Sequence, residues 1–265
     1  MAVFQCSYRS KIQGRSVFFN VIVPEQCEKD IPVAYMLHGV NASHFDWLKA
    51  LSIERYATAR DIAIVMPNSD NSCYADMEYG FPHYSFIINE LIPYTRKMFN
   101  LSDKREKTFI GGFSMGGQGC LKIGLRNPEI FGAIGAMSCG FQSGGNPITA
   151  TMAFGKDYKD KVIRNENDVF YLVDQLKDST SPKPWIYHCC GTEDAALEKA
   201  RAGRDHMEGK GFHYVYEEWA GAHTWDFWDE ALPKILDFFQ EYMHENNVEQ
   251  YLNDRIPSSV VRKVK

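Results

Sequence analysis

The stretch Thr108-Phe109-Ile110-Gly111-Gly112-Phe113-Ser114-Met115-Gly116-Gly117-Gln118-Gly119 reads as a buried strand that runs into a glycine-flanked serine and then a helix. Within it, Gly112-Phe113-Ser114-Met115-Gly116 fits the G-x-S-x-G pattern of a nucleophile elbow. The glycines have a steric reason. A sharp strand-to-helix turn strains the serine backbone, and a Cβ two residues to either side would strike the neighbouring chain. Ser114 then stands above the sheet edge at a helix N-terminus, where free N–H groups and the helix dipole favour the negative charge of acyl transfer. The competing reading is a Gly-rich turn of any doubly wound protein. Against it, the stretch lacks the G-K-[ST] ending of a P-loop and the three-glycine spacing of a dinucleotide turn, and it falls in mid-chain.

Outward from this stretch, short apolar runs recur at Val33–Leu37, Ile62–Met66, Ala133–Met137, Trp185–Cys190 and His213–Tyr216. Most are continuous rather than alternating, as in strands buried on both faces of a parallel sheet. Segments 3–9 and 15–23, separated by Lys11-Ile12-Gln13-Gly14, read as an opening antiparallel pair. Helix-like stretches at 47–60, 83–99, 115–126 and 195–209 fall between the runs, which predicts an α/β fold. A last helix carries Leu232, Ile235, Leu236, Phe239 and Tyr242, with Pro233 expected to start or kink it. Residues 141–184 break the rhythm: they open with Ser143-Gly144-Gly145-Asn146-Pro147, hold a helix-like stretch near 167–177, and read as a lid-like insertion in a single domain spanning 1–265.

Composition narrows the function classes. With 265 residues, 45% hydrophobic and 24% charged, the chain is an ordinary globular protein and not disordered, collagen-like or coiled-coil. A net charge of −5 supplies no basic field for nucleic acid or an anionic membrane, and the basic tail Arg255 to Lys265 reads as a solvated terminus. The seven cysteines show no C-x-x-C spacing and read as reduced, packed thiols rather than zinc ligands. No basic segment followed by a long apolar run opens the chain, and no run approaches a bilayer span, which predicts a cytoplasmic protein. A homo-oligomer stays open.

A serine hydroxyl needs a base and a group to orient that base. In this fold the chain order is Ser, then Asp or Glu, then His. Among the downstream histidines, His188 and His213 sit in apparent strands, His206 on a charged helical surface and His244 near the end, whereas His223 lies in the loop Trp219-Ala220-Gly221-Ala222-His223-Thr224-Trp225 before the last helix. The best acid is Asp194 in Gly191-Thr192-Glu193-Asp194, with Glu193 its rival and Asp168 less well placed inside the insertion. Asp226 reads as a cap of the last helix. For the oxyanion, the expected backbone donors are the N–H groups of Met115 and, after the strand Val33–Leu37, of Val40. His38 precedes the serine and reads as a loop brace. Trp225 and Phe141, with Phe113, Trp228 and Phe154 nearby, fit either a substrate pocket or core packing under the sheet edge.

Taken together, Leu37-His38-Gly39, Met66-Pro67-Asn68, Gly112-Phe113-Ser114-Met115-Gly116-Gly117, Cys190-Gly191-Thr192-Glu193-Asp194 and Gly221-Ala222-His223-Thr224-Trp225-Asp226-Phe227-Trp228 resemble the esterase D-like branch of the α/β-hydrolases, with bacterial tributyrin esterases and feruloyl esterases nearest. The resemblance spans roughly residues 3–243, and Val40-Asn41-Ala42-Ser43 stands where many members carry more glycine. It implies Ser114 as nucleophile, His223 as base and Asp194 as orienting acid, with no metal or organic cofactor. The expected activity is a serine carboxylesterase acting on short acyl esters of acetyl or butyryl type, on a small-molecule or carbohydrate-linked substrate. Feruloyl esters of plant cell walls come next. An S-formylglutathione hydrolase or other thioesterase uses the same triad, but the Trp-rich segment after His223 and the insertion argue against the former. Outside enzymology the rival is a non-catalytic binding protein on a hydrolase fold, which usually loses a triad member.

Overall fold

The computed structural model describes residues 1–25, 29–142, 147–162 and 165–246. The opening of the insertion at 143–146, Cys27 and the basic tail lie outside the described residues. Strands β1 (Ala2–Arg9) and β2 (Ser16–Val23) pair antiparallel in register from Ala2↔Val23 to Arg9↔Ser16. They open an eight-stranded sheet with β3 (Val33–Leu37), β4 (Ala63–Pro67), β5 (Thr108–Phe113), β6 (Ala133–Met137), β7 (Trp185–Gly191) and β8 (Tyr214–Trp219), in the order β1-β2-β4-β3-β5-β6-β7-β8. From β4 to β8 every pairing is parallel, while β2 meets β4 antiparallel.

The continuous apolar runs serve two cores at once. In β3, Val33, Tyr35 and Leu37 face one core and Ala34 and Met36 the other, because successive strand side chains point to opposite faces. The first core is covered by α3 (His83–Phe86), which continues through a π-helical turn (Ile87–Leu91) into α4 (Ile92–Phe99), and by α5 (Met115–Arg126), α8 (Val169–Lys177) and α9 (Leu197–Met207). The second is covered by α1 (Asp46–Ala50), α2 (Ile53–Thr58) and α10 (Trp225–Glu245). Two short helices, α6 (Pro147–Phe154) and α7 (Tyr158–Lys161), complete the set among the described residues.

Three local expectations change. The single helix expected over 47–60 breaks at Leu51-Ser52, where Leu51 is extended, and the break lets Trp47 and Ile53 both reach the core. Of the two places expected for Pro233, the start of the last helix is the one that fails, since the proline lies inside α10. The helical bond it removes is outweighed by the apolar stripe from Phe227 to Met243. The chain enters α10 through an extended Thr224, so Asp226 sits in the first turn, where its charge complements the helix dipole, and does not cap.

The insertion divides by packing. Val169, Val173 and Leu176 of α8 belong to the main core, and Asp168 caps that helix by accepting from the Phe170 N–H at 3.0 Å. By contrast α6 and α7 form a small cluster with Cys73 and Ala75, and the Ala153 and Met152 carbonyls accept from the Glu78 and Tyr79 N–H groups at 2.9 and 3.0 Å. Buried Lys122 of α5 ties the two parts together by donating to the Cys73 carbonyl at 2.7 Å and to Asn167 Oδ1 at 3.3 Å.

Candidate active site

Strand β5 ends at Phe113 and α5 begins at Met115, so Ser114 alone makes the turn, with φ 56° and ψ −119°. Few non-glycine residues adopt this backbone, and the neighbours hold it there. The Ser114 N–H donates to the Met137 carbonyl at 2.9 Å, and its carbonyl accepts from the Gln118 N–H at 3.1 Å. A Cβ on Gly112 would lie 2.5 Å from the Gly116 oxygen, and one on Gly116 would lie 2.1 Å from the Leu37 oxygen. The two motif glycines therefore let β5, α5 and the end of β3 meet backbone to backbone.

The loops after β7 and β8 bring the other partners to the same edge. His223 Nε2 lies 2.9 Å from Ser114 Oγ, and its Nδ1 lies 3.0 and 2.9 Å from the two carboxylate oxygens of Asp194. A carboxylate only accepts, so Nδ1 carries the proton and Nε2 is left to accept from the serine hydroxyl. The Asp194 side chain is fully buried, whereas His223 is 39% exposed. Burial pushes the Asp194 carboxyl up, but hydrogen bonds from His223, the Ala196 N–H and the Ser138 hydroxyl together hold it below the usual carboxylate range. Ser138 in turn accepts from Trp228 Nε1 at 3.0 Å. Glu193 plays a different part: it accepts from the Gly221 N–H and, at 2.7 Å, from the Thr192 hydroxyl, clamping the two loops together.

Val40 and Met115 line one cavity of about 430 Å³ with Ser114 and His223. The Val40 turn is braced through the next residue, by two hydrogen bonds to Asn71. Asn41, at φ 61°, donates its N–H to Asn71 Oδ1 at 2.7 Å, and Asn71 Nδ2 donates back to Asn41 Oδ1 at 2.8 Å. Sequence reasoning missed Asn71 and Ser138, and for Asn71 the only signal was the polar run Asn68-Ser69-Asp70-Asn71 after β4. Two of the expected pocket residues are elsewhere. Phe141 is fully buried between Phe170 and His188, and Trp225 stacks edge-on against Trp47, Phe113 and Trp228, so neither lines the cavity. Their aromatic surface is used in packing under the sheet edge.

Two buried histidines brace this edge in a defined tautomer. His38 Nδ1 lies 2.8 Å from the Gly39 carbonyl, which can only accept, and Nε2 receives the Ser69 N–H at 3.0 Å. His188 Nε2 donates to the Cys139 carbonyl at 2.9 Å, and its Nδ1 faces the Tyr214 hydroxyl at 2.9 Å. Burial is the main cause that lowers both, to about 4. The unfolded chain therefore takes up these two protons near pH 6.5, while the folded chain resists until about 4. Stability is expected to fall as pH drops through that window, by up to roughly 3 kcal/mol for each histidine. Urea unfolding at pH 7, 5.5 and 4.5 reads this directly, and an unfolding free energy that stays level across the three would contradict it.

A nucleophilic-type serine, an imidazole and a carboxylate aligned at the carboxyl ends of a mostly parallel sheet define a serine hydrolase of the α/β-hydrolase fold. The family model described as "Putative esterase" matches residues 10–239, and the chain belongs to that family of carboxylic ester hydrolases. It is 31% identical to an acetyl esterase of Caldicellulosiruptor saccharolyticus over 91% of this chain and 99% of that protein. Among solved structures, it is similar to the substrate-bound fluorophosphonate-binding serine hydrolase F of Staphylococcus aureus, with a TM-score of 0.82 and 28% identity over 90% of this chain and 98% of the other. It is also similar to a ferulic acid esterase, with a TM-score of 0.78 and 25% identity over 91% and 98% of the two chains. Among the described residues, no helix is long and apolar enough to cross a membrane.

Proposed function

We propose that the chain hydrolyses short-chain acyl esters through an acyl-enzyme on Ser114. The observation that carries this reading is the unbroken hydrogen-bonded line from Asp194 through His223 to Ser114, opening on a cavity. Ser114 Oγ attacks the ester carbonyl as His223 Nε2 takes its proton, and buried Asp194 holds the imidazole in the required tautomer and stabilises its cationic form. The Met115 and Val40 N–H groups receive the developing oxyanion. His223 then gives its proton to the leaving alcohol, and water repeats the cycle on the acyl-enzyme.

The acyl preference follows from the relative that is an acetyl esterase and from a cavity near the lower end of the roughly 300–1,000 Å³ range of small-molecule sites. Hydrolysis of p-nitrophenyl esters from acetate to decanoate, with methyl ferulate alongside, tests it. The expected result is an optimum at acetate or butyrate; a preference for methyl ferulate would move the assignment to hydroxycinnamoyl esters, as in the similar ferulic acid esterase. A thioester turned over far faster than any oxygen ester would make the protein a thioesterase. The free cysteines Cys73, Cys120, Cys139, Cys189 and Cys190, all buried, support a cytoplasmic location.

A further inference from the structure

Lys199 stands in the wall of the catalytic cavity, on the first turn of α9. Its place there is structural. A Cβ on Gly140 would lie 2.5 Å from Lys199 Cβ and 3.1 Å from the Lys199 carbonyl oxygen, so the glycine after Cys139 lets α9 close against the cavity rim. The lysine is exposed and has no ion-pair partner among the described residues. The acidic residues beside it are engaged elsewhere: Asp194, in the same cavity lining, with His223, and Glu198, adjacent in the chain, with Arg201. Local helix physics does not call for it either, since a cation is least favoured in the first turn of a helix. A flexible lysine in the lining of the cavity that holds Ser114, with no ion-pair partner among the described residues, is a recognition group for negative charge.

We infer that Lys199 makes the enzyme select esters that carry a carboxylate or another anionic group away from the scissile bond. This rests on the esterase reading and narrows its substrate class. The polar part of such a substrate lies along the wall formed by Gly140, Gln142 and Lys199, while the reacting carbonyl sits between Ser114 and the Val40 turn.

The test compares kcat/KM for matched pairs in wild type, Lys199→Met and Lys199→Glu. One pair places the anion on the acyl side, p-nitrophenyl hemiglutarate against p-nitrophenyl butyrate. The other places it on the alcohol side, 4-carboxyphenyl butyrate against phenyl butyrate. The neutral ester of each pair reports on the catalytic machinery, so the informative quantity is the anionic-to-neutral ratio. In one pair that ratio is expected to fall about fivefold in Lys199→Met, the size of an exposed ion pair, and further in Lys199→Glu. The wild-type preference is also expected to shrink between low salt and 1 M salt. Ratios unchanged within twofold in both pairs and both variants would overturn the inference while leaving the esterase reading intact. No turnover of any of the four esters by wild type would overturn both.

Discussion

Replacing Ser114 by alanine is expected to lower kcat for a short-chain p-nitrophenyl ester by about a million-fold, the size seen when the serine of a Ser-His-Asp hydrolase is deleted. The size follows from what the hydroxyl does. With Oγ gone, no acyl-enzyme forms, and water must attack the bound ester without the covalent shortcut. The proposed oxyanion donors at Met115 and Val40 remain, so a small residual rate above the uncatalysed one is expected to persist. The fold is expected to tolerate the change, because the strained turn is held by the Ser114 N–H and carbonyl and by Gly112 and Gly116 rather than by the hydroxyl. Circular dichroism and urea unfolding of the variant check this, alongside loss of labelling by a fluorophosphonate probe. Activity within tenfold of wild type in a folded variant, with labelling retained, would falsify Ser114 as the nucleophile.

The next largest effect is expected at Asp194. An Asp194→Asn change keeps the shape but exchanges one acceptor for a donor. Oδ1 receives the Ala196 N–H at 2.7 Å, which holds the amide oxygen on that side and turns the new NH₂ toward His223 Nδ1. Nδ1 must then accept, the proton moves to Nε2, and Ser114 Oγ faces a donor where it needs a base. The expected loss in kcat is about 10⁴-fold with little change in KM, by analogy with the same substitution in serine proteases. The variant also leaves the imidazolium without a counter-charge during the reaction, a second cost of the same sign. Steady-state kinetics separates the two parameters; a defect confined to KM would mean that Asp194 serves substrate binding and not the orientation of His223.

The elbow could be read directly because its constraint is local: only glycine tolerates backbone contact two residues to either side of Ser114, so the sterics are written into five adjacent letters. His223 and Asp194 were readable for a related reason. Each falls in a loop just after a strand of a parallel sheet, and such loops collect at one edge, so chain order alone brings them near the serine. The supporting contacts could not be read this way. Ser138 beneath Asp194 and Asn71 beside Asn41 are a short residue in a turn and a polar residue in a loop, with no periodicity or motif to mark them.

The sequence by itself determined the fold class, the place of the serine turn and the side of the sheet on which the candidate site lies, because strand periodicity, glycine sterics and chain direction act over a few residues each. Only the tertiary structure decided what the site's walls are made of. Phe141 and Trp225 have the composition of pocket residues, but the packing of α8 against α5 and of α10 against the sheet buries one and wedges the other among aromatic rings. Lys199, by contrast, looks like an ordinary helix-surface lysine, and it reaches the cavity because Gly140, distant in sequence, leaves room for α9. Which face of a helix meets a cavity depends on how elements far apart in the chain pack, and no local pattern encodes that.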